Sequence, residues 1–72
     1  MANVIIPETV ASGNIKLLRT KAGFTQEEMA SKMGVARATY LKYENNPYDT
    51  DINILIAIAR LLDCQVADFI VQ

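Results

Sequence analysis

Fifteen residues decide the fold: Gln26-Glu27-Glu28-Met29-Ala30-Ser31-Lys32-Met33-Gly34-Val35-Ala36-Arg37-Ala38-Thr39-Tyr40. Met29, Ala30 and Met33 recur at helical spacing, so the first half reads as a helix with one apolar face. Thr25 can cap it, and Glu28 stands three residues on as the partner of a capping box. Gly34 ends that helix, because glycine accepts the positive φ of a tight stop. Val35 is an apolar plug, and Ala36 opens a second helix that runs to about Asn45. Tyr40, Tyr43 and the Ala36 methyl point inward on it, while Arg37, Ala38, Leu41 and Lys42 face out. Ala30, four residues before Gly34, is small enough to let the two helices approach closely.

The flanks follow the same period. Upstream, Gly23 stops a helix spanning about Ala11 to Ala22, with Ile15, Leu18 and Ala22 inward and Lys16 and Lys21 in solvent. Residues 1–10 read as an arm, either disordered or opening this helix near Pro7 or Glu8, since proline suits a first turn. Downstream, Asn45-Asn46-Pro47-Tyr48-Asp49 has turn composition. Thr50 or Asp51 then caps a fourth helix running to about Leu62, whose core stripe is Leu55, Ile58, Ala59 and Leu62. A short fifth helix, about Val66 to Ile70, packs Val66 and Phe69. No segment alternates as a strand would. The fold class is all-α: five helices, with residues 11–72 forming a single domain.

Composition excludes most chemistry. With 72 residues the chain is one small domain, burying only roughly 60% of its unfolded surface, so no large enclosed active site fits. It has no histidine, hence no imidazole base and no Cys/His zinc site. Its single cysteine, Cys64, allows neither an intramolecular disulfide nor a Cys-X-X-Cys motif and reads as a small core hydrophobe. Ser12 and Ser31 have no histidine to build a catalytic triad with. The longest apolar run, Ile54 to Ala59, is far below the roughly 18 residues of a membrane span. The N-terminus lacks the features of a secretory signal. The expectation is a cytoplasmic protein that is not an enzyme, with no cofactor, no metal, no small-molecule substrate and no membrane partner.

The net charge of −1 is unevenly spread. Asn14 to Tyr43 carries six cations against two carboxylates, a net +4, and Glu44 to Gln72 carries one against five, a net −4. A local basic face matters more to a polyanion than the total does. The central stretch also has the geometry that duplex DNA requires. One helix can lie across the phosphates while the next enters the major groove, which is roughly 12 Å wide.

The spaced set Thr25-Gln26-x-x-Met29-Ala30-x-x-x-Gly34-Val35-x-x-x-Thr39-x-x-x-Tyr43-Glu44-Asn45, followed by Leu55-x-x-Ile58-Ala59-x-x-Leu62, resembles the Cro/C1-type (XRE-like) helix-turn-helix family. That family comprises phage repressors, Cro proteins and small bacterial regulators, and the similarity covers about residues 11–70. The resemblance implies a lambda-repressor-like DNA-binding domain in which helices 2 and 3 form the helix-turn-helix. It implies that Gln26 binds a phosphate and orients Arg37, and that Arg37 and Ala38 face base edges. Thr39 would contact a phosphate, and Lys42 a base or the backbone. Arg37 is the best base reader by chemistry, because its fork matches guanine O6 and N7, whereas Ala38 offers only a methyl contact to thymine. Arg19 and Glu44 are implied as a structural ion pair across the core.

The chain also departs from that family's pattern. Ala36 replaces the usual hydroxyl cap of helix 3, forfeiting roughly 1 kcal/mol. Leu41 is apolar where a polar groove-facing side chain is usual, and the turn after helix 3 lacks the common glycine and basic residues.

Apolar residues make up 51% of the chain, or about 55% with its three glycines, above the usual roughly 45–50%. Some of that surplus must reach the surface. Ile54, Ala57 and Leu61 lie off the core stripe of helix 4 at i, i+3 and i+7. With Ile70 and Val71, and separately Leu41, they are candidates for a partner or dimer patch.

The leading expectation is a Cro-like, sequence-specific regulator that binds double-stranded DNA as a homodimer, with half-sites about 34 Å apart. The alternative is a phage anti-repressor, a modulator of repression that forms a heteromeric complex with a helix-turn-helix repressor. An antitoxin-type regulator shares the fold but needs an added toxin-binding segment, for which little chain is left.

Overall fold

The computed structural model describes residues 5–71. Its helices are α1 (Glu8–Lys21), α2 (Gln26–Met33), α3 (Arg37–Asn45), α4 (Ile52–Leu61) and α5 (Ala67–Ile70), with a single 3₁₀ turn at Pro47–Asp49 between α3 and α4. Among the described residues no helix is long and apolar enough to cross a membrane.

Local chemistry sets the ends of α2. The Thr25 hydroxyl accepts from the Glu28 backbone N–H at 3.0 Å, and the Glu28 carboxylate accepts from the Thr25 N–H at 2.9 Å, closing the capping box. Gly34 ends the helix at φ 70°, in the left-handed region that disfavours any Cβ. Its N–H returns to the Ser31 carbonyl and that of Val35 to Ala30. By contrast α3 begins at Ala36 with no side-chain cap, while Asp51 caps α4 by accepting from the Asn53 N–H at 2.7 Å.

These ends aim the apolar faces at one core of Ile15, Met29, Ala30, Tyr40, Leu55, Ile58, Ala59, Leu62 and Phe69. Val35 and Cys64 are half-buried against it. Burial raises the Cys64 thiol pKa, with Asp68 and Asp63 adding to the effect.

Helix α1 opens at Glu8, as one of the two readings of residues 1–10 has it, because the Pro7 carbonyl accepts from the N–H groups of Val10 and Ala11 and closes a turn ahead of Ala11. Two expectations are corrected. Ala22 is exposed, since it is the C-terminal cap of α1 rather than a further inward position. Ala36 is exposed too, because its extended backbone (φ −69°, ψ 153°) precedes the helix and does not share its inward face.

The arm expected at residues 1–10 lies outside the described residues at 1–4. Its described part is packed. Ile6 is buried, its N–H donates to the Ile70 carbonyl at 3.1 Å, and Ile5 pairs with Val71 in an antiparallel bridge. The Tyr48 hydroxyl donates to the Ile6 carbonyl, and the Tyr48 N–H donates to the Glu8 carboxylate at 3.1 Å. The 3₁₀ turn thus holds the entry to α1, and Asn14 of α1 donates to the Phe69 carbonyl at 3.4 Å.

Phe69 is fully buried and anchors the short α5 to that assembly. Phe69→Ala is therefore expected to lose about 3–5 kcal/mol in urea unfolding, while Ile5→Ala at an exposed side chain loses under about 0.5 kcal/mol. Similar losses for the two would contradict this packing.

Candidate nucleic-acid interface

The interface grows from one buried carboxylate. Glu44 lies in the last turn of α3 and its side chain is fully buried. Arg19 of α1 meets it side-on, donating from Nε to Oε2 at 2.7 Å and from Nη2 to Oε1 at 3.3 Å. The Tyr40 hydroxyl, one turn earlier on α3, donates to Oε2 at 2.7 Å, and Gln26 Nε2 of α2 donates to Oε1 at 3.1 Å. Four donated hydrogen bonds fill the carboxylate's acceptor capacity. Arg19 also donates from Nη1 to the Phe24 carbonyl at 2.9 Å.

Each pKa follows from this geometry. Burial alone raises that of Glu44, but the hydrogen bonds from Arg19, Tyr40 and Gln26 together outweigh it and hold the group below the usual carboxylate value. The hydrogen bond to Glu44 raises Arg19 despite partial burial. Tyr40 is pushed up, first by burial and then by its bond to Glu44.

The network reaches the surface through Gln26. While its amide nitrogen holds Glu44, its amide oxygen accepts from Arg37 Nη2 at 3.3 Å. Arg37 is exposed at the first position of α3, at the edge of an open notch of about 560 Å³ between the end of α1 and the start of α2. At the start of α2 the first backbone N–H groups have no intrahelical partner, which suits an anion. Glu27 stands at the same end and weakens that preference.

The structure places the other expected residues as follows. Ala38 and Lys42 are exposed on α3 and Thr39 is half-buried there, so they share the helix with Arg37. Leu41 is half-buried. Ile54 and Leu61 line one groove, whereas Ile70 lines a different recess with Ile5 and Ile52, and Val71 pairs with Ile5. The apolar set is thus divided between two surfaces. Tyr40 is placed inward by its spacing in α3, which leaves the direction of its hydroxyl open. The ring is buried as expected, and the hydroxyl turns inward to Glu44. The i, i+4 spacing of Tyr40 and Glu44 was the available signal.

Comparisons with known proteins bear on the family and the fold. A family model described as helix-turn-helix matches residues 15–69. The chain is 36% identical over 59 residues to the antitoxin HipB of Escherichia coli O6:H1, covering 82% of this chain and 63% of that protein. It therefore spans less than two thirds of that relative's length. It is 35% identical over 57 residues to an HTH-type transcriptional regulator of Archaeoglobus fulgidus, covering 79% of this chain and 81% of the other. A solved structure of a HipB–O1–O2 complex superposes with a TM-score of 0.69 at 34% identity, over 86% of this chain and 90% of that one.

The buried pair sets a pH dependence. Glu44 has a depressed pKa in the folded protein, so its contribution is present above the unfolded value of about 4.5 and is lost as pH falls below it, through the folded pKa. Glu28, lowered by its hydrogen bond from the Thr25 backbone, adds in the same direction. Glu44→Gln keeps the volume but strands Arg19, and is expected to lose about 3 kcal/mol at neutral pH. Urea midpoints at neutral and acidic pH should show a smaller acid drop for the variant than for the wild type. A wild-type midpoint and a full acid drop in Glu44→Gln would contradict the role given to the carboxylate.

Proposed function

This chain belongs to the helix-turn-helix family of DNA-binding transcriptional regulators, and from that premise we propose that it reads a specific duplex sequence with α3 in the major groove. The observation that carries the reading is the hydrogen bond from Arg37 to Gln26, itself held by buried Glu44. It aims a guanidinium outward from the start of α3 with part of its freedom already removed. A fork held this way favours a guanine O6/N7 edge. Gln26 and the start of α2 take a phosphate, Thr39 takes another, Ala38 packs on a thymine methyl, and Lys42 contacts a base or the backbone. The protein acts as a Cro-like homodimer on a two-fold operator, with half-sites about 34 Å apart.

A second reading is a protein-binding role, as a modulator of a repressor or as an antitoxin. It is favoured by the uncapped start of α3, by apolar Leu41 and by the likeness to HipB antitoxins. Both readings share the fold, and DNA selection separates a DNA-reading regulator from a modulator that acts through protein contacts alone.

The test is selection from a randomised duplex library by the purified protein at roughly 150 mM salt, where non-specific phosphate binding is already weak. An enriched palindrome with guanine opposite Arg37 is expected. Arg37→Ala should then lose about 1–3 kcal/mol of specific binding and relax that one base position. An unchanged sequence preference in the variant would overturn the assignment, and no enrichment by a folded protein would favour the second reading.

A further inference from the structure

A second surface shares no residue with the notch at Arg37. The C-terminal end of α2 and the outer side of α4 enclose an open groove of about 570 Å³. Met33, Ile54, Ala57 and Leu61 are half-buried along it, and Lys32 and Arg60 are exposed at its edge. Ile56 beside them is a large apolar side chain left 37% exposed. No carboxylate lines the groove. Arg60 is the one cation from Glu44 onward, against five carboxylates.

The floor is the stripe Ile54, Ala57 and Leu61, at i, i+3 and i+7 of one helix. Seven residues of helix span about 10 Å, the length of two turns of a second helix laid alongside. The Lys32 ammonium lies 5.2 Å from the centroid of the Phe24 ring, a residue of the notch and not of the groove. Past Ile54 the surface becomes mixed in charge, with Lys42 beside Asp49 and Asp51. Electrostatic selection therefore acts at the Lys32 and Arg60 end.

We propose that this groove docks an acidic amphipathic helix of a partner protein. The partner's apolar ridge lies on Met33, Ile54, Ala57 and Leu61, and its carboxylates face Lys32 and Arg60. Charge complementarity favours this occupant, and a two-fold axis running along α4 would set Lys32 and Arg60 against the same cations of a second copy, a like-charge arrangement that opposes pairing. A helix carrying glutamates meets complementary charge on the same floor.

The test maps binding onto the full chain by amide chemical shifts. The probe is a synthetic helical peptide of about three turns with leucines at i, i+3 and i+7 and glutamates on its flanks. The control replaces each glutamate with lysine. We expect shifts grouped at Lys32, Met33, Ile56, Ala57 and Arg60 for the acidic peptide, and none for the basic one. Lys32→Glu with Arg60→Glu changes only exposed side chains and should weaken binding at least about tenfold, with the unfolding midpoint confirming that the variant is folded. Several results overturn the proposal. One is equal binding of the basic peptide, and another is no binding. A third is shifts grouped at Arg37 and Lys42, which would mark the peptide as a mere polyanion. The last is concentration-dependent shifts at the groove residues without peptide, which would show that a second copy fills it.

Discussion

A single carboxylate buried among three helices is the constraint on which the rest of this structure depends. Glu44 has no access to water, and an unpaired charge in that position costs several kcal/mol, a large share of the stability of a domain this small. The helices must therefore assemble so that Arg19 from α1, Gln26 from α2 and Tyr40 from α3 all converge on it. An apolar core of Ile, Leu and Phe tolerates small slips of one helix against another. A carboxylate with four donors does not. Among the described residues no buried side-chain nitrogen or oxygen lacks a partner, so the network is complete. Its effect is to fix the angle of the helix-turn-helix more than to add net stability.

The same carboxylate links the core to the surface. Gln26 spends one end of its amide on Glu44 and the other on Arg37, so the side chain best suited to read a base is positioned from inside the domain. The chain's charge is organised around this. Cations gather on the segment from α1 to α3, while the C-terminal half is acidic apart from Arg60. That Arg60 belongs instead to the separate groove between α2 and α4. One small domain thus carries two surfaces of different character, a polar notch beside Arg37 and an apolar trough with a basic edge.

Much of this was legible in the sequence because its determinants are local. The capping box at Thr25 and Glu28, the stop at Gly34 and the stripe Leu55, Ile58, Ala59 and Leu62 each depend on neighbours within a turn or two, and spacing reveals them. The pairing of Arg19 with Glu44 follows from the family resemblance and not from spacing, since the two lie 25 residues apart. What the sequence hid is non-local. The contacts tying Ile5 and Ile6 to Ile70, Val71 and Tyr48 span more than 40 residues of chain, and a local pattern names no partner that distant. Tyr40 was misleading for another reason, because its ring announces burial and says nothing of where its hydroxyl points. The apolar residues outside the core stripe were visible as a surplus, but only the fold could divide Ile54 and Leu61 from Ile70 and Val71.

The central claim is that the buried carboxylate acts on the reading side chain through Gln26. It is tested most directly by a double-mutant cycle on the selected duplex, using the wild type, Gln26→Ala, Arg37→Ala and the double variant. The two losses are expected not to add, with a coupling of about 1 kcal/mol or more, because Arg37 without Gln26 is no longer aimed. Losses that add to within about 0.3 kcal/mol would mean that Arg37 reads DNA without help from the core. That result would contradict the account.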